Sequence, residues 1–225
     1  MKLINYLKVS LPRYYMFSKN EFSELKKQFE KENQLEYFAK GQRSLVYRAN
    51  YNNQEVIIKV EKKNTDVLNK IVNEIKWLKE LNQYNIGPKL IDYGGDFLIA
   101  EFIKGILFKE WLLIAEKEEI INLVIKILKQ CRKLDELLVS KEEMHNPFKH
   151  IIIKHNEPIM IDFERSHTTL KPKNVTQFFQ YLTSENISAI LKEKEILLKN
   201  TTEALKEYKK DYSEESFHKL LELLK

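Results

Sequence analysis

Ile57-Ile58-Lys59-Val60 closes a run of alternating apolar residues, and Ile159-Met160-Ile161-Asp162-Phe163 closes a second apolar strand with an aspartate at its carboxyl end. Alternation of this kind reads as a strand, with successive side chains on opposite faces. A lysine fixed to one strand and an aspartate fixed to a distant one are what phosphoryl transfer requires: a cation for the phosphates and a carboxylate for their metal. Each half alone is a common strand ending. Their order and spacing make nucleotide chemistry the leading expectation.

Working outward from Lys59, Leu35 to Ala39 and Leu45 to Ala49 read as strands around the turn Lys40-Gly41-Gln42-Arg43-Ser44. Asn52-Asn53 then turns the chain into the strand Val56 to Val60, which completes an antiparallel meander. Upstream, Phe22, Leu25 and Phe29 share one face of a helix that starts at Ser18 or Glu21, runs to about Glu30 and should pack on the strands. Downstream, Thr65 or Asp66 can cap a helix reaching Leu81. Its apolar stripe is Val67, Ile71, Leu78 and Leu81, and Glu74 falls on the same stripe. A carboxylate on a buried face needs a cation, and Lys59 is the obvious partner; the alternative is a solvated glutamate at the stripe's edge.

After Gly87-Pro88, the strands Lys89 to Tyr93 and Phe97 to Phe102 flank Gly94-Gly95-Asp96. From Phe108 the pattern turns helical. A helix from about Glu118 to Leu138 carries Ile121, Val124, Ile125, Leu128, Leu134 and Leu138. Two short strands, Ile151 to Ile153 and Ile159 to Ile161, are joined by His155-Asn156-Glu157-Pro158, and helices dominate from Asn174 onward. Asn174 is the expected cap of a helix whose Val175, Phe178, Phe179 and Leu182 pack under that hairpin. The tail from Leu191 to Lys225 reads as surface helices, with Leu197, Leu205, Tyr208, Phe217, Leu220 and Leu224 as its apolar positions.

The 225 residues suffice for one large domain or two small lobes around a cleft. A hydrophobic content of 43% and a charged content of 32% are those of a soluble globular protein and exclude disorder. The 38 basic and 33 acidic residues leave a formal charge of only +5, so no nucleic-acid footprint is indicated. The single cysteine, Cys131, excludes an internal disulfide and a Cys-based zinc site, and its place on a helical stripe suggests inert core. No apolar stretch approaches the roughly twenty residues of a membrane span. The first residues lack a sustained apolar region and a small-residue cleavage site, so the expectation is a cytoplasmic protein.

The order of elements resembles the protein-kinase-like fold. That resemblance implies an α+β, two-lobed architecture: an extension with a helix over residues 1–34, a lobe over 35–103 with a five-stranded antiparallel sheet and one helix, and a mainly helical lobe over 104–225. Gly41, Ser44 and Val46 are similar to a reduced phosphate-covering loop, Lys59 to the phosphate-binding lysine and Glu74 to the helix glutamate that pairs with it. Glu101 to Ile103 match the hinge that holds adenine by its backbone, and Asp162-Phe163 the start of the Asp-Phe-Gly metal motif. Three stretches, Pro147-Phe148-Lys149-His150, Ile161-Asp162-Phe163-Glu164-Arg165 and Lys173-Asn174-Val175-Thr176-Gln177-Phe178, resemble more narrowly a small archaeal group of predicted serine/threonine kinases akin to the RIO and lipopolysaccharide kinases. The resemblance implies ATP and Mg2+ as cofactors and a hydroxyl-bearing phosphoacceptor, protein or small molecule.

Departures from the pattern sharpen the expectations. One glycine stands where such loops have three, so Arg43 and Ser44 would assist in holding phosphates. Glu164 follows Phe163 in place of glycine, which predicts a fixed metal aspartate rather than one that flips. The catalytic loop, Ser140 to His150, contains no aspartate; Glu143 is the candidate that orients the acceptor hydroxyl, with a solvated surface glutamate as the alternative. The second metal position falls at Lys149-His150. Lys149 could support the transferring phosphate, and His150, the metal candidate beside Asp162, is a poor ligand for magnesium. Arg165, Lys171 and Lys173 would rim the site and suit an acidic or phosphate-bearing acceptor, or be ordinary solvated cations. A nucleotide-binding scaffold without transfer activity is the second expectation, favoured by the missing aspartate and the thin glycine loop. An RNA-binding accessory protein, the third, would need a basic face with exposed aromatics.

Overall fold

The computed structural model describes residues 21–31, 35–41, 44–62 and 70–224. Ser18, Arg43, Thr65, Asp66 and Val67, which carried a helix start, a loop cation, two caps and a stripe position, lie outside the described residues.

Helix α1 (Glu21–Lys31) precedes β1 (Leu35–Lys40), β2 (Ser44–Tyr51) and β3 (Gln54–Glu61); α2 (Lys70–Leu81) leads to β4 (Leu90–Tyr93) and β5 (Phe97–Glu101). The five strands form one antiparallel sheet in the order β1-β2-β3-β5-β4. Asn52 and Asn53 take φ of 51° and 61°, the left-handed pair a two-residue hairpin turn requires, and asparagine tolerates it best among non-glycine residues. Strand alternation then sorts the sheet's two faces. Val56, Ile58 and Val60 of β3 and Phe97 and Ile99 of β5 bury against Phe22 and Phe29 of α1, which holds the expected helix-on-sheet contact. Leu98 and Ala100 face the other way, into the main core, with Ile57 packed against it. Lys59 belongs to this second face.

The chain leaves β5 through residues 102–105 and pairs β6 (Ile106–Leu107) with a strand reached much later. Helices α3 (Phe108–Ile114) and α4 (Lys117–Glu136) follow, then β7 (Val139–Ser140), β8 (Ile151–Lys154), β9 (Glu157–Met160) and β10 (His167–Thr168). A three-stranded sheet, β6-β8-β9, replaces the simple hairpin expected from sequence, and β7 pairs with β10. Such two-residue strands have no periodicity to read; tertiary pairing alone creates them. Gly105 permits the first crossing, because a Cβ there would lie 2.3 Å from the carbonyl oxygen of Ile153. Lys154 of β8 in turn reaches Glu101 at the end of β5, Nζ to Oε1 at 2.8 Å, tying the two sheets together.

Helices α5 (Asn174–Leu182), α6 (Glu185–Glu193), α7 (Thr201–Asp211) and α8 (Glu214–Glu222) complete the chain. Val175, Phe178, Phe179 and Leu182 are buried as expected. Three expectations need correction. Leu138 is not on α4: the helix ends at Glu136, and Leu138, at φ 57° and 40% exposed, turns the chain into β7. Leu197 is 54% exposed in the link between α6 and α7, where Ile196 is the buried residue instead. Asn174 does not cap its own helix. It is fully buried, its amide donating to the Val139 carbonyl and to Asp135, while Asp135 of α4 accepts from the Asn174 and Val175 amides and so caps α5 from outside. Cys131 is buried in the same core, and burial pushes its thiol pKa well up. Among the described residues no helix is long and apolar enough to cross a membrane.

Candidate functional site

The inner face of the five-stranded sheet and the three-stranded sheet enclose a cleft of about 800 Å³. Its walls are apolar: Val46, Ile57, Leu98, Ala100, Leu107 and Ile152. At one end stand Lys59, Glu74 and Asp162; at the other, residues 101–105.

The charged end is built by three elements. Strand alternation turns Lys59 of β3 inward, helical periodicity puts Glu74 on the buried stripe of α2, and Asp162 follows β9. Lys59 Nζ lies 2.6 Å from Glu74 Oε2, 2.8 Å from Asp162 Oδ1 and 3.5 Å from Glu164 Oε2. The solvated alternative for Glu74 is thereby excluded, since its side chain is 6% exposed. Burial works against the Lys59 ammonium, yet the carboxylates of Glu74, Asp162 and Glu164 outweigh it and raise its pKa above the ordinary lysine value. Burial lifts the Glu74 carboxyl, with Lys59 opposing. Asp162 is also desolvated, but Lys59, and behind it Lys141 and His150, hold it below the usual carboxylate value.

Asp162 is at φ 66°, in the left-handed region where aspartate is among the few tolerated residues. The segment after it is anchored to α2. Asn73 Nδ2 donates to the carbonyls of Glu164 and Ser166, and Trp77 Nε1 to that of Ser166. Phe163 is fully buried, against a glycine: a Cβ on Gly87, whose φ is +83°, would lie 3.0 Å from its ring.

At the opposite end, the Glu101 amide donates to the Lys89 carbonyl and the Phe102 amide to that of Glu55. The Ile103 amide, by contrast, makes no hydrogen bond among the described residues, although Ile103 is buried and lines the cleft. A backbone donor without a protein acceptor at a cleft wall is free for a ligand or water. Phe38 sits over this mouth. A register shift between Tyr37 and Ala39 in the β1–β2 pairing leaves it unpaired, and its ring meets Phe102 edge-on with centroids 5.6 Å apart. Arg48 covers the other aromatic at 4.8 Å.

The remaining candidates divide. Val46 lines the cleft. Gly41 and Ser44 do not: the Gly41 amide donates to the Ser44 carbonyl, and Ser44 is buried at the start of β2. Glu143 is buried, not solvated, and is paired with Lys141, Nζ to Oε2 at 3.0 Å. Lys141, which sequence reading passed over, is fully buried and also donates to the Asp162 carbonyl, so it joins the loop to Asp162. Lys149 is exposed, with its ammonium over the Phe148 ring, and is not part of the cleft wall. His150 Nδ1 is 3.7 Å from Asp162 Oδ2 and has no hydrogen-bond partner. Burial and the nearby Lys141 charge lower its pKa, which leaves a neutral ring. The carboxylates that gather are Glu74, Asp162 and Glu164, one oxygen of each within 4.8 Å of the others. Glu164 entered the sequence reading only as a missing glycine.

Compared with protein-family models and with curated proteins, the chain matches none.

Proposed function

We propose that the protein is an ATP-dependent phosphotransferase of protein-kinase-like, two-lobed architecture, which passes the γ-phosphate of ATP to a hydroxyl acceptor. The observation that carries this reading is the convergence of Lys59, Glu74 and Asp162 at one end of an apolar cleft whose other end offers, at Ile103, a backbone donor with no acceptor among the described residues. A flat heteroaromatic ring fits between the apolar walls, with a ring nitrogen accepting from the Ile103 amide and Phe38 closing over its edge. Phosphates would then reach Lys59, which Glu74 keeps charged and aimed.

The donor set suits a hard divalent cation. Asp162, with Glu164 beside it, supplies carboxylate oxygens of the kind magnesium prefers, whereas the neutral His150 ring does not. Mg2+ bound there supplies charge neutralisation at the phosphates. Glu143, held by Lys141, is the carboxylate available to orient an acceptor hydroxyl, in place of the family's aspartate.

That same pairing favours a second reading, a nucleotide-binding scaffold without transfer. A buried glutamate neutralised by a buried lysine is a structural ion pair as readily as a catalytic group. Transfer of labelled γ-phosphate from ATP to protein and to hydroxylated small molecules separates the two. Metal-dependent transfer lost in Asp162→Asn supports the kinase; tight ATP binding without turnover on any acceptor supports the scaffold.

A further inference from the structure

A second cavity, of about 350 Å³, is lined by Glu142, His145, His167, Lys171, Lys173 and Gln177 among others. The segment after β7 connects it to the cleft. Ser140 and Glu142 line this cavity, while Lys141 and Glu143 are buried in the protein, where Lys141 meets the Asp162 carbonyl. The Lys141 side chain thus links the cavity's wall to Asp162 of the cleft. The stretch from Asp162 to Lys173 contributes to both, its first residue to the cleft and His167, Thr169, Lys171 and Lys173 to the cavity.

The cavity's chemistry is that of an anion site. Glu142 is the only acid in the lining, and it is already engaged by Arg165, with His167 a further 3.8 Å away. Neither Lys171 nor Lys173 has an ion-pair partner among the described residues. His145 Nδ1 is 2.6 Å from the Glu142 carbonyl and His167 Nδ1 3.4 Å from that of Arg165. A carbonyl only accepts, so Nδ1 of each ring donates there, and Nε2 donates to a ligand oxygen when the ring carries its second proton. One lining residue offers more than charge: Gln177 Oε1 is buried without a hydrogen-bond partner, and a turn of its amide toward the cavity would let it accept from a ligand hydroxyl.

We propose that this cavity binds the phosphate monoester of a small hydroxylated molecule, its phosphate between Lys171, Lys173 and the two histidines and a hydroxyl on Gln177. On the kinase reading given above, from which its role but not its existence follows, this ligand is an effector acting on Asp162 through the stretch from Asp162 to Lys173, because Glu143 faces away from the cavity. The volume admits a phosphorylated polyol and little more, and the short stretch between Asp162 and Lys173 leaves no extended platform for a peptide.

The test is a titration of glycerol 3-phosphate into the nucleotide-free protein, followed by the side-chain NMR signals of its histidines. His145 and His167 should shift saturably, with the exposed His155 and His218 as unmoved references. Lys171→Glu with Lys173→Glu should weaken binding at least tenfold, and Gln177→Leu should weaken glycerol 3-phosphate but not inorganic phosphate. Shifts reproduced by sodium chloride at matched ionic strength, or affinity unchanged by the double charge reversal, would overturn the proposal. A separate ATP titration keeps the two ideas apart. Binding of ATP without binding of glycerol 3-phosphate overturns the cavity and leaves the kinase reading standing; the converse upholds the cavity and removes its effector role.

Discussion

Lys141 and Glu143 are paired inside the protein, and the lysine that neutralises the glutamate also holds the carbonyl of Asp162. The loop that would meet an acceptor and the residue that would hold the metal are therefore one hydrogen-bonded unit. Removing either member leaves the other charge buried and alone, at a cost on the order of 3–5 kcal/mol. Glu143→Gln keeps the shape and an acceptor oxygen, so it should cost less, about 1–3 kcal/mol in denaturant unfolding. If Glu143 orients an acceptor, the variant's kcat should fall while its KM for ATP holds; an unchanged kcat in an otherwise active enzyme removes Glu143 from the mechanism.

Lys59→Met should destabilise the fold by about 3 kcal/mol, because it strands Glu74 among apolar side chains. The pH dependence has a definite sign. Without Lys59 the folded-state pKa of Glu74 rises further above its unfolded value of about 4.3. A group with a raised folded pKa contributes stability that is lost as pH rises through that pKa. The gap between variant and wild type should therefore be widest near pH 8 and shrink toward pH 5. A gap independent of pH would contradict the assigned pairing.

Glycine positions give an ordered stability prediction. Gly105→Ala drives a Cβ into the Ile153 carbonyl, at 2.3 Å, and should cost about 3 kcal/mol. Gly41→Ala meets nothing nearer than the Ser44 hydroxyl at 3.2 Å, with the Ser44 carbonyl oxygen next at 3.4 Å, and carries no positive φ, so thermal melts should show it near neutral. Equal losses at the two positions would contradict the close approach that Gly105 permits.

What was legible in the sequence followed local rules. Val56 to Val60 announced its two faces by alternation, and Glu74 announced a buried partner by standing on an apolar helical stripe. Lys141 could not be read that way. It sits in the polar run Ser140-Lys141-Glu142-Glu143, which resembles a solvated loop until the distant pairing of β7 with β10 fixes which residues turn inward. Asn174 was misread for a related reason. Its type suits a helix cap, but Asp135 arrives from another helix to take that role and leaves Asn174 as the joint between them. Leu138 continued the helical period past the point where the chain had to reverse. Phe38 looked like an ordinary strand residue, because a bulge has no local signature.

Phe38→Ala should weaken ATP binding about tenfold, in line with the ~1–3 kcal/mol of an aromatic contact to a base. The side chain is 53% exposed and outside the main cores, so the melting temperature should barely change. Loss of stability without loss of affinity would move Phe38 from the site to the fold.

The central claim is tested most directly by calorimetric titration of ATP, with and without Mg2+, into the wild-type protein and Asp162→Asn. Saturable binding that needs the metal and disappears in the variant is the predicted result. No heat of binding for the wild type in either condition would contradict both the kinase and the nucleotide-binding scaffold.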